Sequence, residues 1–197
     1  MRWTLRLFVL ALLGWAVFMV SPFVALYSLA QDVEARDAAR LEERVNFRAL
    51  RISLAKQIVG EYLRQTGRGQ ELSGMSRNVA TSAGASFADP LIAQLVTPEA
   101  VFGLLDGRLP ETVAGNTSPI PLGLPKDWRA LGGAWKTFIL SESRGFRTLL
   151  VPFPAERPRA EQFRLQMRLD GTTWRLIGLE LPQPMLRELV KQLPRTS

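Results

Sequence analysis

A chain of 197 residues with 47 % hydrophobic, 22 % charged and 9 % aromatic residues has the composition of a folded protein, which excludes wholesale disorder. It contains neither Cys nor His, which removes disulfides, thiolate nucleophiles, Ser-His-Asp and Cys-His arrangements and the ordinary zinc sites together. A net charge of +7 and a pI near 10.7 suit an anionic neighbour such as phospholipid headgroups, whereas scattered basic residues without any nucleic-acid-binding signature make DNA or RNA an unexpected partner.

Residues 7–30 carry no charged side chain. About 20 largely apolar residues suffice to cross a bilayer, and Trp3, Trp15 and Tyr27 are of the type enriched at its interfaces. A cleaved signal peptide is the rival reading, because Arg2 and Arg6 form a basic start and Ser28-Leu29-Ala30 offers small residues at a peptidase spacing. Against it, Pro22 is followed by Phe23, Leu26, Tyr27, Ala30 and Val33 at helical spacing, which predicts an uncleaved helix that continues into the protein. Arg2 and Arg6 on an acid-free tail place that tail in the cytoplasm and the domain on the periplasmic or outer side. The expected organisation is a transmembrane anchor over 1–23 and a single α+β domain over 24–197. The expected localisation is a cytoplasmic membrane of the bacterial type, crossed once.

Within the domain, Asp37 suits the N-cap of a helix over 38–45, and Asn46 that of a longer helix with Phe47, Leu50, Leu54, Ile58 and Tyr62 on one face. Residues 67–86 are small and polar and read as an irregular segment. Thr97-Pro98-Glu99 opens a further helix that stops near Gly107. Residues 108–133 hold four prolines and four glycines and read as a second irregular connection. The period then changes. Strands are expected over 134–141 and 147–153, and Phe163, Leu165, Met167 and Leu169 alternate with Arg164, Gln166 and Arg168. Asp170-Gly171 turns the chain into a strand over 172–181, with Trp174 and Leu176 on the apolar face, and a short amphipathic helix carries Met185, Leu186, Leu189 and Val190. The fold class is α+β, with helices packed on a C-terminal curved antiparallel sheet of about four strands.

Several short stretches resemble a known family. Ser21-Pro22, Ala25-Leu26-Tyr27, Ala35-Arg36-Asp37, Phe47-Arg48-Ala49-Leu50-Arg51 with Ser53-Leu54, Val96-Thr97-Pro98-Glu99 and Trp174-Arg175-Leu176 together resemble the bacterial envelope family called domain of unknown function 2939. The resemblance spans about 21–181, leaving the 108–133 insert aside. It implies no activity. It suggests a shape similar to the cystatin-like and nuclear-transport-factor-2-like folds, whose cone encloses a pocket, and function must still be argued from a site.

Four groups of residues are candidates for chemistry. Ser53-Leu54-Ala55-Lys56 has the Ser-x-x-Lys spacing of penicillin-binding enzymes, but Lys136-Thr137-Phe138 lacks the glycine of their second motif, so a solvated coincidence is the better reading. Arg51 falls on the apolar arc of its helix. It is expected either to form a partly buried ion pair with Asp37, Glu34 or Glu180, or to reach into the cone and hold an anionic ligand. Trp135, Phe146 and Trp174 would line a pocket or fill the core. Arg164, Arg168 and Arg175 read as a solvated outer face of the sheet. The ligand-binding candidates are therefore Arg51, Trp135 and Trp174, with no catalytic residue, metal or cofactor. The leading expectation is a non-enzymatic membrane-anchored module binding an envelope protein or a small ligand; a carboxylate- and Arg51-based enzyme and a plain scaffold are the alternatives.

Overall fold

One helix, α1 (Arg2–Glu34), runs through what the sequence divides into anchor and domain. The computed structural model describes residues 2–66, 89–106, 140–143, 145–153, 157–191 and 193. Both expected irregular segments, 67–86 and 108–133, lie outside these, as do Trp135 and most of the strand expected over 134–141; Leu140 and Ser141 within that range are not strand. The first half of α1 is exposed, whereas Pro22, Leu26, Leu29 and Val33 are buried in the domain.

Where α1 ends, the backbone folds back on itself. Arg36 N–H donates to Val33 O at 3.1 Å and Asp37 N–H to Asp32 O at 3.0 Å, with Arg36 at φ 51°. This is the Schellman pattern, in which glycine is the usual left-handed residue. Asp37 then caps α2 (Ala38–Arg44), accepting from Arg40 N–H at 3.1 Å. Arg36 is exposed, so its side chain contributes little packing. Relief of left-handed strain of about 1–2 kcal/mol against a glycine entropy cost of about 0.5–1 kcal/mol leaves an expected gain on the order of 0.5–1 kcal/mol for Arg36→Gly. A lower denaturation midpoint in that variant would contradict the strain assigned to this turn.

Asn46 caps α3 (Phe47–Gln65), its Oδ1 accepting from Ala49 N–H at 3.0 Å, as its position in the sequence predicts. Residues 89–95 are helical. Thr97 caps α4 (Pro98–Leu105) through Ala100 N–H at 3.1 Å. The strands β1 (Glu142–Ser143), β2 (Thr148–Phe153), β3 (Phe163–Asp170) and β4 (Thr173–Glu180) form an antiparallel sheet in the order β1-β2-β3-β4, and this sheet is not closed. A 3-10 turn (Arg159–Glu161) precedes β3, and α5 (Gln183–Lys191) follows β4. Gly171 takes φ 62° at the first central position of the β3–β4 turn, where a tight hairpin needs the left-handed region.

The core forms where α3 packs on β4 and α5, while α1 and α2 pack on the start of β4. Leu54, Ile58, Leu165, Leu176 and Leu189 are fully buried there. Met185, Leu186, Leu189 and Val190 all face inward, as their spacing in the sequence predicts. A Cβ built on Gly178 would lie 2.9 Å from Ser53 Oγ, so glycine at that point lets α3 approach β4.

Candidate functional site

Two arrangements stand out, one at each end of β4. The first begins with a proline. In a helix, Phe18 C=O would accept from the N–H of residue 22, but Pro22 has none. Ser21 Oγ takes its place, donating to Phe18 O at 2.8 Å. The same oxygen accepts a 2.8 Å hydrogen bond from Trp174 Nε1. Phe18 also meets the indole, with ring centroids 6.5 Å apart and planes tilted by 50°. Trp174 is 6 % exposed. It lies in the core, one of the two places expected for it, and joins the sheet to the apolar helix.

The second arrangement surrounds a buried cation. Arg164 lies on β3, and its Nη2 is 2.8 Å from Glu142 of β1 while its Nη1 is 3.0 Å from Glu180 of β4. Its side chain is 6 % exposed, against 52 % for Glu142 and 35 % for Glu180. A buried guanidinium needs such carboxylates to offset its lost hydration. The register explains the second contact. Pairs run Leu169↔Trp174, Arg168↔Arg175 and Met167↔Leu176, then skip Ile177 so that Gln166 faces Gly178 and Arg164 faces Glu180. Without this bulge, Arg164 would face Leu179.

Beside Arg164 lies an open groove of about 510 Å³, bordered by Gln57, Arg64, Arg159, Gln162, Glu180 and Gln183 among others. A smaller depression of about 180 Å³ on the β1 side shares Arg159, Gln162 and Arg164. Gln57 is itself fixed: its Nε2 donates to Leu179 O and its Oε1 accepts from Leu181 N–H, each at 2.8 Å. Arg64 is held 2.5 Å from the buried carboxylate of Glu61. Among the described residues Arg159 has no carboxylate partner. Gln57, Arg64 and Arg164 are thus already engaged by protein groups, and of the guanidinium groups bordering the groove it is that of Arg159 that is open to a carboxylate or another polar anion.

Several expectations from the sequence change here. Arg51 is neither buried nor paired with Asp37, Glu34 or Glu180; its side chain is 49 % exposed and pairs at 3.7 Å with Asp89, itself 57 % exposed. Helical spacing puts Arg51 between Phe47, Leu54 and Ile58, but the buried arc narrows toward the N-terminal turn of α3, where Leu50 is buried and Phe47, Arg48 and Arg51 are not. Arg164, expected on a solvated face with Arg168 and Arg175, is the buried cation instead. Phe146 is 90 % exposed and belongs to no core. Lys56 is exposed, and Ser53 faces Gly178 and accepts a long, 3.4 Å hydrogen bond from Gln57. The sequence contained no signal for the Arg164 cluster, because its acids come from two other strands.

The chain is thus an α+β protein with one long apolar N-terminal helix, half of which is built into the domain. Residues 10–104 match the family described as "Protein of unknown function (DUF2939)", so the resemblance to domain of unknown function 2939 holds over α1 to α4. The match ends before the sheet, and Trp174-Arg175-Leu176 lies outside it. No curated protein and no solved structure matches the chain.

Proposed function

We propose that this protein is a single-pass, membrane-anchored envelope module whose domain binds a ligand or partner without catalysing a reaction. The observation that carries the reading is the outer half of α1: Trp3, Leu5, Phe8, Leu10, Trp15 and Val17 are all more than half exposed and face every side of the helix. A helix apolar all round and uncovered by protein suits lipid better than water. Cleavage after Ala30 would remove Leu26 and Leu29, both fully buried, which supports retention of the segment. The absence of His and Cys supports a binding role, with the Arg159 and Arg164 groove as the place for a polar, anionic ligand. Arg2 and Arg6 favour a cytoplasmic tail and a domain on the far side of the membrane.

The test is fractionation of cells expressing the full chain, followed by protease treatment after the outer envelope is permeabilised. The protein should stay in the membrane pellet through alkaline carbonate extraction, and its domain should be digested. Release by carbonate would overturn the anchor; digestion only after the cytoplasmic membrane is opened would reverse the orientation.

A further inference from the structure

The way α1 leaves the domain fixes which end of the sheet lies next to its apolar half. Residues 3–20 span roughly 27 Å at 1.5 Å per residue, close to the approximately 30 Å of a hydrocarbon core. On the anchor reading, on which this inference rests, the bilayer boundary falls at the level of Phe18 to Ser21. Trp174 touches both of those residues and is the second residue of β4. It pairs with Leu169, whose N–H donates to Arg147 O at 2.8 Å. The turn before β2 and the β3–β4 turn therefore share the end of the sheet where the helix emerges.

That end carries an unusual surface. Phe146, in the turn shaped by Gly145 at φ 85°, is 90 % exposed. Arg147 beside it is exposed as well. One residue pair in from Leu169 and Trp174, Arg168 and Arg175 stand directly opposite each other, and like charges so placed repel. The compensation offered nearby is weak: Asp170 Oδ2 lies 3.9 Å from Arg175 Nη1, Arg175 Nε is buried without a hydrogen-bond partner, and Arg168 has no carboxylate partner among the described residues.

We propose that this end of the sheet is a second membrane contact, resting on the surface of the bilayer that α1 crosses. Phe146 enters the interfacial region, while Arg147, Arg168 and Arg175 meet the phosphates of anionic lipid. Lipid is favoured over an acidic protein because the patch continues the level at which α1 would meet the membrane. Its charge is opposite to that of an anionic leaflet, and aromatic rings beside arginines suit a headgroup boundary. The helix then sets the protein in the membrane and the sheet end fixes its tilt.

Because the chain lacks cysteine, Phe146→Cys in the full chain gives a unique attachment point for an environment-sensitive fluorophore, at an exposed position where folding is not at stake. Ala160→Cys, exposed before the opposite end of β3, is the control. Both are reconstituted into phosphatidylcholine/phosphatidylglycerol vesicles containing a lipid with a nitroxide near its headgroup. The label at 146 should be quenched several-fold more than the label at 160. The difference should shrink in vesicles of phosphatidylcholine alone or when Arg147, Arg168 and Arg175 are changed to Gln. Equal quenching at both positions in protein that still floats with the vesicles overturns the second contact and leaves the anchor standing. Failure to float removes the anchor and this contact with it. A label unquenched by lipid but shielded in native membranes would assign the patch to an acidic protein and likewise overturn the proposal.

Discussion

A chain beginning at Gln31 is expected not to fold, whereas one beginning at Val17 should melt cooperatively. The shorter chain loses Leu26 and Leu29, both fully buried, together with Pro22 and the Ser21 hydroxyl that receives Trp174 Nε1. Truncating a buried leucine to alanine costs about 2–5 kcal/mol, and removing two whole residues costs at least as much for each. A loss of about 4–10 kcal/mol or more matches the entire stability of a typical domain, about 5–15 kcal/mol. The chain from Val17 keeps all these contacts and discards the exposed apolar half of the helix. Far-ultraviolet circular dichroism against temperature separates the two. Cooperative melting of the Gln31 chain at the midpoint of the Val17 chain would show that the buried half of α1 is dispensable.

Removing the two acids that face Arg164 should cost far more than removing Arg164 itself. In Glu142→Gln with Glu180→Gln, the guanidinium keeps hydrogen-bond acceptors but loses both carboxylates, and its 6 % exposure prevents water from replacing them. Uncompensated buried charges typically cost about 3–5 kcal/mol. The lower end, about 3 kcal/mol, is expected because both acids reach solvent and already share their field with it. Arg164→Met should lose less than half of that, since Glu142 and Glu180 can turn outward to water and methionine fills part of the space. Equilibrium denaturation of the detergent-solubilised chain measures both variants. A larger loss from Arg164→Met than from the double acid variant would show that packing, not charge compensation, holds this end of the sheet.

Local features of this fold were legible in the sequence. Asn46 and Thr97 cap helices because a short polar side chain needs only the N–H three residues ahead. The alternation from Phe163 to Leu169 and the turn at Gly171 likewise depend on neighbours in the chain. What could not be read is the position of an element relative to others. Helical spacing gave the angle of Arg51 but not its place along α3, near an end where the core no longer covers that arc. Alternation placed Arg164 on the outer face of β3. Its burial there depends on a bulge at Ile177 and on Glu142 arriving from β1, and neither leaves a pattern in the sequence around Arg164. Trp174 reads from the sequence as a pocket or core residue, but its partners Ser21 and Phe18 precede it by about 150 residues and lie within a largely apolar run, so the contact leaves no local pattern.

Gln57 has a consequence for what happens when copies of the protein meet at high local concentration. The outward side of a terminal strand is an open template to which another chain can add a strand, and such additions begin aggregates. On β4 that template is already occupied. Leu176 O accepts from Asn46 N–H at 2.8 Å, and the Gln57 amide engages Leu179 O and Leu181 N–H in the way a neighbouring strand would. The opposite border is formed by β1, only two residues long. Among the described residues the sheet therefore presents no long free edge on which another copy could extend it.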